Sequence, residues 1–443
     1  TIRFRSVPAP ATETEAVASR PRKGFSFKSL WMLAAILGPG FITASAGNDV
    51  GGILQYSQAG AQFGYALLWV MIPLAVGLVV VQEMATRMGV VTGKGLAALL
   101  RENFGVRISF IAMVLLFLIN TLLTSTEFAG IAAAAQIFGV SKYLAVPVAL
   151  VVIFVFVLRF DNRVVERTFV VLSLIYLTYI GSAIMARPNW HEVARGAFIP
   201  TFKPHAAGWV AAVVGLIGTT ISPYMQFFLQ SAVVEKGTRI KQLFAARIDV
   251  VNGSILAIVL AGFMIIANGA TIFLANQHGG HFVFNTVSDF AAALRPLGGA
   301  SAATIFALGI LNAGVFTAAV LPLSTSYIVC EALGFEAAID RTFEQAPVFF
   351  TLFATGLIVG AVIVLIPNLP LLQLVLFAQV LQGILLPAEL VLMLIIINSK
   401  HIMGKHTNSP LANGIAWTTV VVVGSLSVLY VAGQFFPKLL GAQ

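Results

Sequence analysis

Long apolar runs separated by short polar stretches organise this chain. A run of about 20 apolar residues can cross a bilayer as a helix. Eleven such segments can be placed, near residues 30–60, 65–88, 107–138, 143–160, 165–187, 207–233, 248–274, 300–333, 346–367, 370–398 and 412–436. The first and the sixth are broken in the middle. The first fills its centre with glycine, polar groups and one carboxylate, from Gly38-Pro39-Gly40 through Ala46-Gly47-Asn48-Asp49 to Gly51-Gly52. The sixth is interrupted at Thr219-Thr220-Ile221-Ser222-Pro223-Tyr224. Unpaired backbone groups cost several kcal/mol each in hydrocarbon, so irregular backbone at membrane depth persists only where protein or a watery cavity receives it.

The two breaks lie five segments apart. That spacing predicts an inverted five-plus-five repeat, in which each half gives one discontinuous helix to a site near the bilayer midplane. The expected layout is all-α. Repeat one covers about 30–187, repeat two about 207–398, and an extra helix about 412–436, all within one transmembrane unit, 29–443. Residues 1–28 are polar and basic, with Pro8, Pro10 and Pro21. They read as a disordered cytoplasmic tail without the pattern of a cleaved signal peptide.

Composition agrees with this layout. Apolar residues make up 59% of the chain and charged residues 10%, against about 25% charged in a typical soluble domain. With the N-terminus inside, 20 of the 26 Lys and Arg residues fall on the inner side. Lys142, Arg187, Arg195, Lys203, Arg295 and Lys438 stay outside. This asymmetry orients the chain N-inside and C-outside, in a bacterial inner membrane. It also accounts for the net charge of +9 without a nucleic-acid partner. The single cysteine, Cys330, excludes an internal disulfide and a thiolate metal cluster.

An ionisable residue inside a membrane span is a functional-site candidate by default, and Asp49 is the first such residue here. A cation is its natural partner, since exposed carbonyls and half-helix ends at the breaks can complete a shell around one. Other candidates are weaker. Asp249 with Arg247 reads as a structural or gating ion pair. His278 and His281 lie three apart in an outer loop without further ligands. Gly298-Gly299 is loop chemistry. No phosphate loop, zincin motif or nucleophile elbow stands out, and no second catalytic carboxylate or nucleophile–base pair accompanies Asp49, so an enzyme is not expected.

The chain also resembles a known family. Gly38-Pro39-Gly40-Phe41 leading into Asp49-Val50-Gly51-Gly52 is similar to the first-helix signature of the NRAMP divalent-metal transporters, whose pattern at Asp49 is Asp-Pro-Gly-Asn. Gln58-Ala59-Gly60-Ala61, Leu67-Leu68-Trp69, Gly89-Val90-Val91-Thr92-Gly93-Lys94, Glu127-Phe128-Ala129-Gly130, Arg247-Ile248-Asp249, Glu331, Gln379 and Pro387 extend the resemblance over nearly the whole chain from about residue 30. It implies a LeuT-type fold of eleven or twelve helices. It also implies an ion held by the first-helix Asp and Asn, a sixth-helix Met, backbone carbonyls and a tenth-helix Gln.

The departures from that pattern shape the expected chemistry. Asp49 is kept, but the Asn position is Gly52, the Met position Ser222 and the neighbouring His position Tyr224. The carbonyl positions fall on Ala46 and Thr219, and the Gln position on Gln379. A thioether favours transition metals, whereas oxygen ligands and water suit Mg²⁺. Mg²⁺ dehydrates reluctantly and usually keeps several waters. The altered residues resemble those of the NRAMP-related magnesium transporters and imply a partly hydrated Mg²⁺, with Mn²⁺ also accepted, as cargo and no resident cofactor. The family's proton path has an Asp three residues before the third-helix Glu and histidines on the sixth helix. Here Thr124 stands before Glu127, and residues 222–231 hold no histidine. The expectation is a monomeric secondary transporter working by alternating access without proton coupling. Tyr224, Glu127 and Thr124 then line its path. The alternatives are an ordinary proton-coupled Mn²⁺/Fe²⁺ importer, a symporter of organic solutes on the same fold, and a non-transporting membrane sensor.

Overall fold

The computed structural model describes residues 49–159, 173–206, 208–277, 279, 286–335 and 343–436. The expected tail, the first half of the first segment with Ala46, and His278 and His281 lie outside them. Every regular element among the described residues is helical. The principal helices are α1 (Val50–Phe63), α2 (Leu68–Thr92), α3 (Leu96–Ile137), α4 (Lys142–Arg159), α5 (Leu177–Met185), α6 (Trp190–Phe198), α7 (Trp209–Thr220), α8 (Pro223–Glu235), α9 (Leu243–Asn268), α10 (Ala302–Leu333), α11 (Pro347–Leu365), α12 (Leu371–Asn398) and α13 (Pro410–Phe435). Among the described residues, eight stretches are long and apolar enough to cross a membrane, with Lys142–Val157 a shorter apolar helix.

Local chemistry fixes the ends of these helices. Asp49 caps α1, and its side chain accepts from the Gly52 N–H. Gly93 closes α2 at φ 66°, ψ 18°, a left-handed conformation that glycine adopts without steric cost. The third segment, expected from near 107, follows a break at Gly105 (φ 79°, ψ 170°) that parts a short helix begun at Leu96 from the long apolar one. The short helix carries the polar Arg101-Glu102-Asn103. The sixth segment is broken as expected. Ile221 (φ −115°, ψ 63°) and Ser222 (φ −68°, ψ 133°) leave the helical conformation between α7 and α8.

The third long helix of each expected half, α3 and α10, pack along one another. Small residues allow this, because helix association in a bilayer depends on close backbone contact rather than on hydrophobic transfer. A Cβ on Gly314 of α10 would lie 2.8 Å from the Glu127 carbonyl oxygen of α3. That crossing carries Glu127 into the centre. Toward the C-terminal end of α2, Glu83 pairs with Arg87 at 2.9 Å and with Arg247 of α9 at 2.7 Å. Arg247, expected beside Asp249, thus makes a contact between helices. Arg87 also donates to the His406 and Thr407 carbonyls at 3.0 and 2.8 Å, pinning the connection between α12 and α13.

Candidate functional site

The start of α1 gathers negative charge where a helix can use it. The first N–H groups of a helix have no intrahelical acceptor, and the helix dipole favours anions there. The Gly52 N–H donates to Asp49 Oδ1, and the Val50 N–H donates to Glu127 Oε2 at 3.3 Å. Both carboxylates are buried, with 4% of Asp49 and none of Glu127 exposed. Two acidic side chains 78 positions apart in sequence therefore converge on one helical turn. Thr126 adds a hydroxyl donor to Glu127 Oε1 at 3.3 Å.

The break between α7 and α8 supplies neutral oxygen chemistry. Four residues after Thr219 stands Pro223, which has no N–H to offer, so the Thr219 carbonyl lacks its usual helical donor. Its hydroxyl is buried and also without a hydrogen-bond partner. The Thr220 hydroxyl donates to the Leu216 carbonyl at 2.6 Å and meets the Tyr56 hydroxyl of α1 at 3.0 Å. The Ser222 hydroxyl donates to Gln382 Oε1 of α12, and Gln382 Nε2 donates to Gln379 Oε1 at 2.7 Å. Gln379 Nε2 meets no partner.

Glycines bring these elements within reach. A Cβ on Gly51 would overlap the Gln379 amide and come within 3.3 Å of Asp49 Oδ1. Gln379 therefore lies directly over the first turn of α1, beside Asp49. A Cβ on Gly218 of α7 would overlap the Gln379 carbonyl and the Gly383 backbone of α12. The α7–α12 crossing is a backbone-on-backbone contact that only glycine permits.

Of the residues expected at the site, Asp49, Glu127, Ser222, Thr219 and Gln379 come together around the two breaks. Gly52 contributes its backbone N–H to the Asp49 cap. Tyr224, buried in the first turn of α8, is within electrostatic reach of both carboxylates. Thr124 is turned elsewhere. Its hydroxyl returns to the Asn120 carbonyl at 2.7 Å, and its methyl faces Gly360 of α11. Two participants were not anticipated from sequence, Gln382 and Tyr56. A second amide three residues after Gln379 in an otherwise apolar helix was the available signal for Gln382; Tyr56 left none.

Among the described residues, no group of three or more His, Cys, Asp and Glu side chains is placed to hold a metal ion. An ion at Asp49 would draw on one or two carboxylates, on carbonyl, amide and hydroxyl oxygens, and on water. That donor set is hard and suits Mg²⁺ or Mn²⁺ better than soft metals.

Comparison with known proteins places this geometry in context. The family model described as natural resistance-associated macrophage protein-like (Nramp) matches residues 40–433. The crystal structure of the Eremococcus coleocola manganese transporter, in complex with an aromatic bis-isothiourea substituted compound, is similar with a TM-score of 0.73 at 23% identity, covering 94% of this chain and 90% of that one. A nucleobase-cation-symport-1 family transporter in a closed conformation, with bromovinylhydantoin bound, matches at a TM-score of 0.53 and 15% identity, over 90% of this chain and 92% of that one. MhsT in complex with L-phenylalanine matches at 0.53 and 15%, over 88% and 97%. The fold is thus shared with a nucleobase-cation-symport-1 family transporter as well.

Proposed function

The chain belongs to the Nramp family and is a transporter of divalent metal ions, and on that premise we propose that its cargo is a partly hydrated Mg²⁺, carried without obligatory proton coupling. Asp49 anchors the ion electrostatically at the start of α1. Glu127 adds negative potential from the neighbouring helix. Ser222, the Thr219 carbonyl and the Gln379–Gln382 amide pair offer neutral oxygen to the ion or its water. Mn²⁺, which shares the preference for oxygen ligands, is a secondary cargo. Ions pass by alternating access between the broken helices, and Tyr224 lines the path. The chain works as a monomer in a bacterial inner membrane, with transport and no enzymatic activity. An inside-negative potential favours entry of a divalent cation by about 4.6 kcal/mol per 100 mV, enough to drive uptake without a proton gradient.

The observation that carries this reading is the donor set around Asp49. No thioether stands at Ser222, which is tied into an amide relay, and no side chain stands at Gly52. Both changes make room for water and for hard oxygen. Thr124, bonded back to its own helix, offers no titratable link beyond Glu127. The test is Mg²⁺ uptake by liposomes holding the purified protein at an inside-negative potential. Uptake that disappears in Asp49→Ala supports the proposal. Mn²⁺ uptake without Mg²⁺ uptake contradicts it and restores the proton-coupled Mn²⁺/Fe²⁺ alternative.

A further inference from the structure

The interior holds a second carboxylate position that the Asp49 site does not use. Glu389 of α12 is 9% exposed, and neither of its oxygens meets a hydrogen-bond partner. It lies seven residues beyond Gln382, so the two side chains leave the same face of the helix. Because Gln382 is bonded to Ser222, α12 and α8 are level at that point. At a rise of about 1.5 Å per residue, Gln226 of α8 lies about 6 Å inward of Ser222, and Glu389 lies about 10 Å inward of Gln382. Inward is the direction of Lys236 and Lys400, the basic residues just past the ends of these two helices.

Other buried polar groups occupy the same inner half. Both side-chain polar atoms of Gln226 lack partners, as do Gln82 Nε2, the Thr86 hydroxyl and Gln230 Oε1. They come from α2 and α8, which pack on each other and on α12. Gln230 spans to the Lys94 carbonyl at 2.9 Å, and a Cβ on Gly89 would meet Gln230 at 3.0–3.2 Å. Buried polar groups are satisfied in nearly all native structures by protein, water or an ion, and an intramembrane carboxylate without a partner is the costliest of them. Several such groups on three mutually packed helices, ending in a carboxylate, describe a place meant for an occupant.

We propose that Glu389 is the anchor of a second divalent-cation station, on the cytoplasmic side of the Asp49 site, where Gln226 supplies a hard amide oxygen. An ion leaving Asp49 inward pauses there before release. The inference rests on the transport reading above, and it assigns Glu389 a role in ion exit rather than in the central site.

The test uses the full chain, with Mn²⁺ as a paramagnetic probe of binding in detergent and Mg²⁺ uptake in liposomes. The wild-type protein is expected to bind two Mn²⁺ per chain. Asp49→Ala loses one and Glu389→Gln loses the other. Glu389→Gln keeps the Asp49-dependent affinity, which also shows that it folds, while its Mg²⁺ uptake falls about tenfold. An unchanged binding count and unchanged uptake in Glu389→Gln, which mimics a permanently neutral acid, overturn the station. The failure of the broader reading looks different: uptake then survives Asp49→Ala or is absent from the wild type, whatever Glu389 does.

Discussion

The start of α1 and the break between α7 and α8 meet over the same face of α12, yet they are built from opposite chemistry. The first is acidic. Asp49 and Glu127 both accept from the N–H groups of one helical turn. The second is neutral, made of hydroxyls, a carbonyl without its helical donor, and an amide relay through Gln382 to Gln379. Charge comes from one break and adaptable oxygen from the other. A divided site of this kind selects first for a cation and then for a hard one, because the carboxylates set the affinity and the neutral groups set how much water is kept.

The comparison can be broken at either end. The largest effect is expected from Asp49→Ala, which removes the charge that only the first break supplies. Mg²⁺ uptake in liposomes should fall at least about 100-fold, while the protein still elutes as a folded species from gel filtration. Next comes Gly218→Val, which forces a side chain into the backbone contact with Gln379 and Gly383. Overpacking of this kind costs about 1–3 kcal/mol or more. A lowered thermal midpoint in detergent, together with weakened Mg²⁺ binding, is the expected result.

The neutral break gives smaller and more selective changes. Ser222→Met places a soft thioether where the relay begins, and the ratio of Mn²⁺ to Mg²⁺ uptake should rise by about tenfold. A rise in both fluxes together, with the ratio unchanged, would mean that the second break does not set selectivity. Gln382→Leu is the mildest. It removes both bonds of the relay, Ser222 to Gln382 and Gln382 to Gln379, and at about 0.5 kcal/mol net for each this predicts about a fivefold weaker Mg²⁺ affinity by titration calorimetry. Asp49→Ala and Gln382→Leu thus bracket the range over which charge and oxygen act.

The sequence disclosed the acidic break more fully than the neutral one. Asp49 stands as a lone carboxylate in a glycine-rich gap of an apolar segment, a pattern hard to reconcile with plain packing in lipid. Ser222-Pro223 marked the second break within two residues. The partners that complete the site were harder to read. The bond from Val50 to Glu127 joins residues 77 apart. It depends on the small-residue crossing of α3 and α10, which local pattern does not specify. Gln382 is one amide among apolar neighbours, and whether it faces lipid or Ser222 depends on how α12 is rotated against α7. Glycines 218 and 383 fix that rotation, through a contact that exists only in the folded chain. The same limit explains Arg247, whose partner Glu83 lies 164 positions away.

Simultaneous recording of Mg²⁺ entry and internal pH tests the central claim most directly. It is done in liposomes holding the purified protein under an imposed inside-negative potential, with Asp49→Ala alongside. The account predicts Mg²⁺ entry that depends on Asp49 and leaves the internal pH unchanged. Acidification that rises in step with ion entry, or entry confined to Mn²⁺, would contradict it.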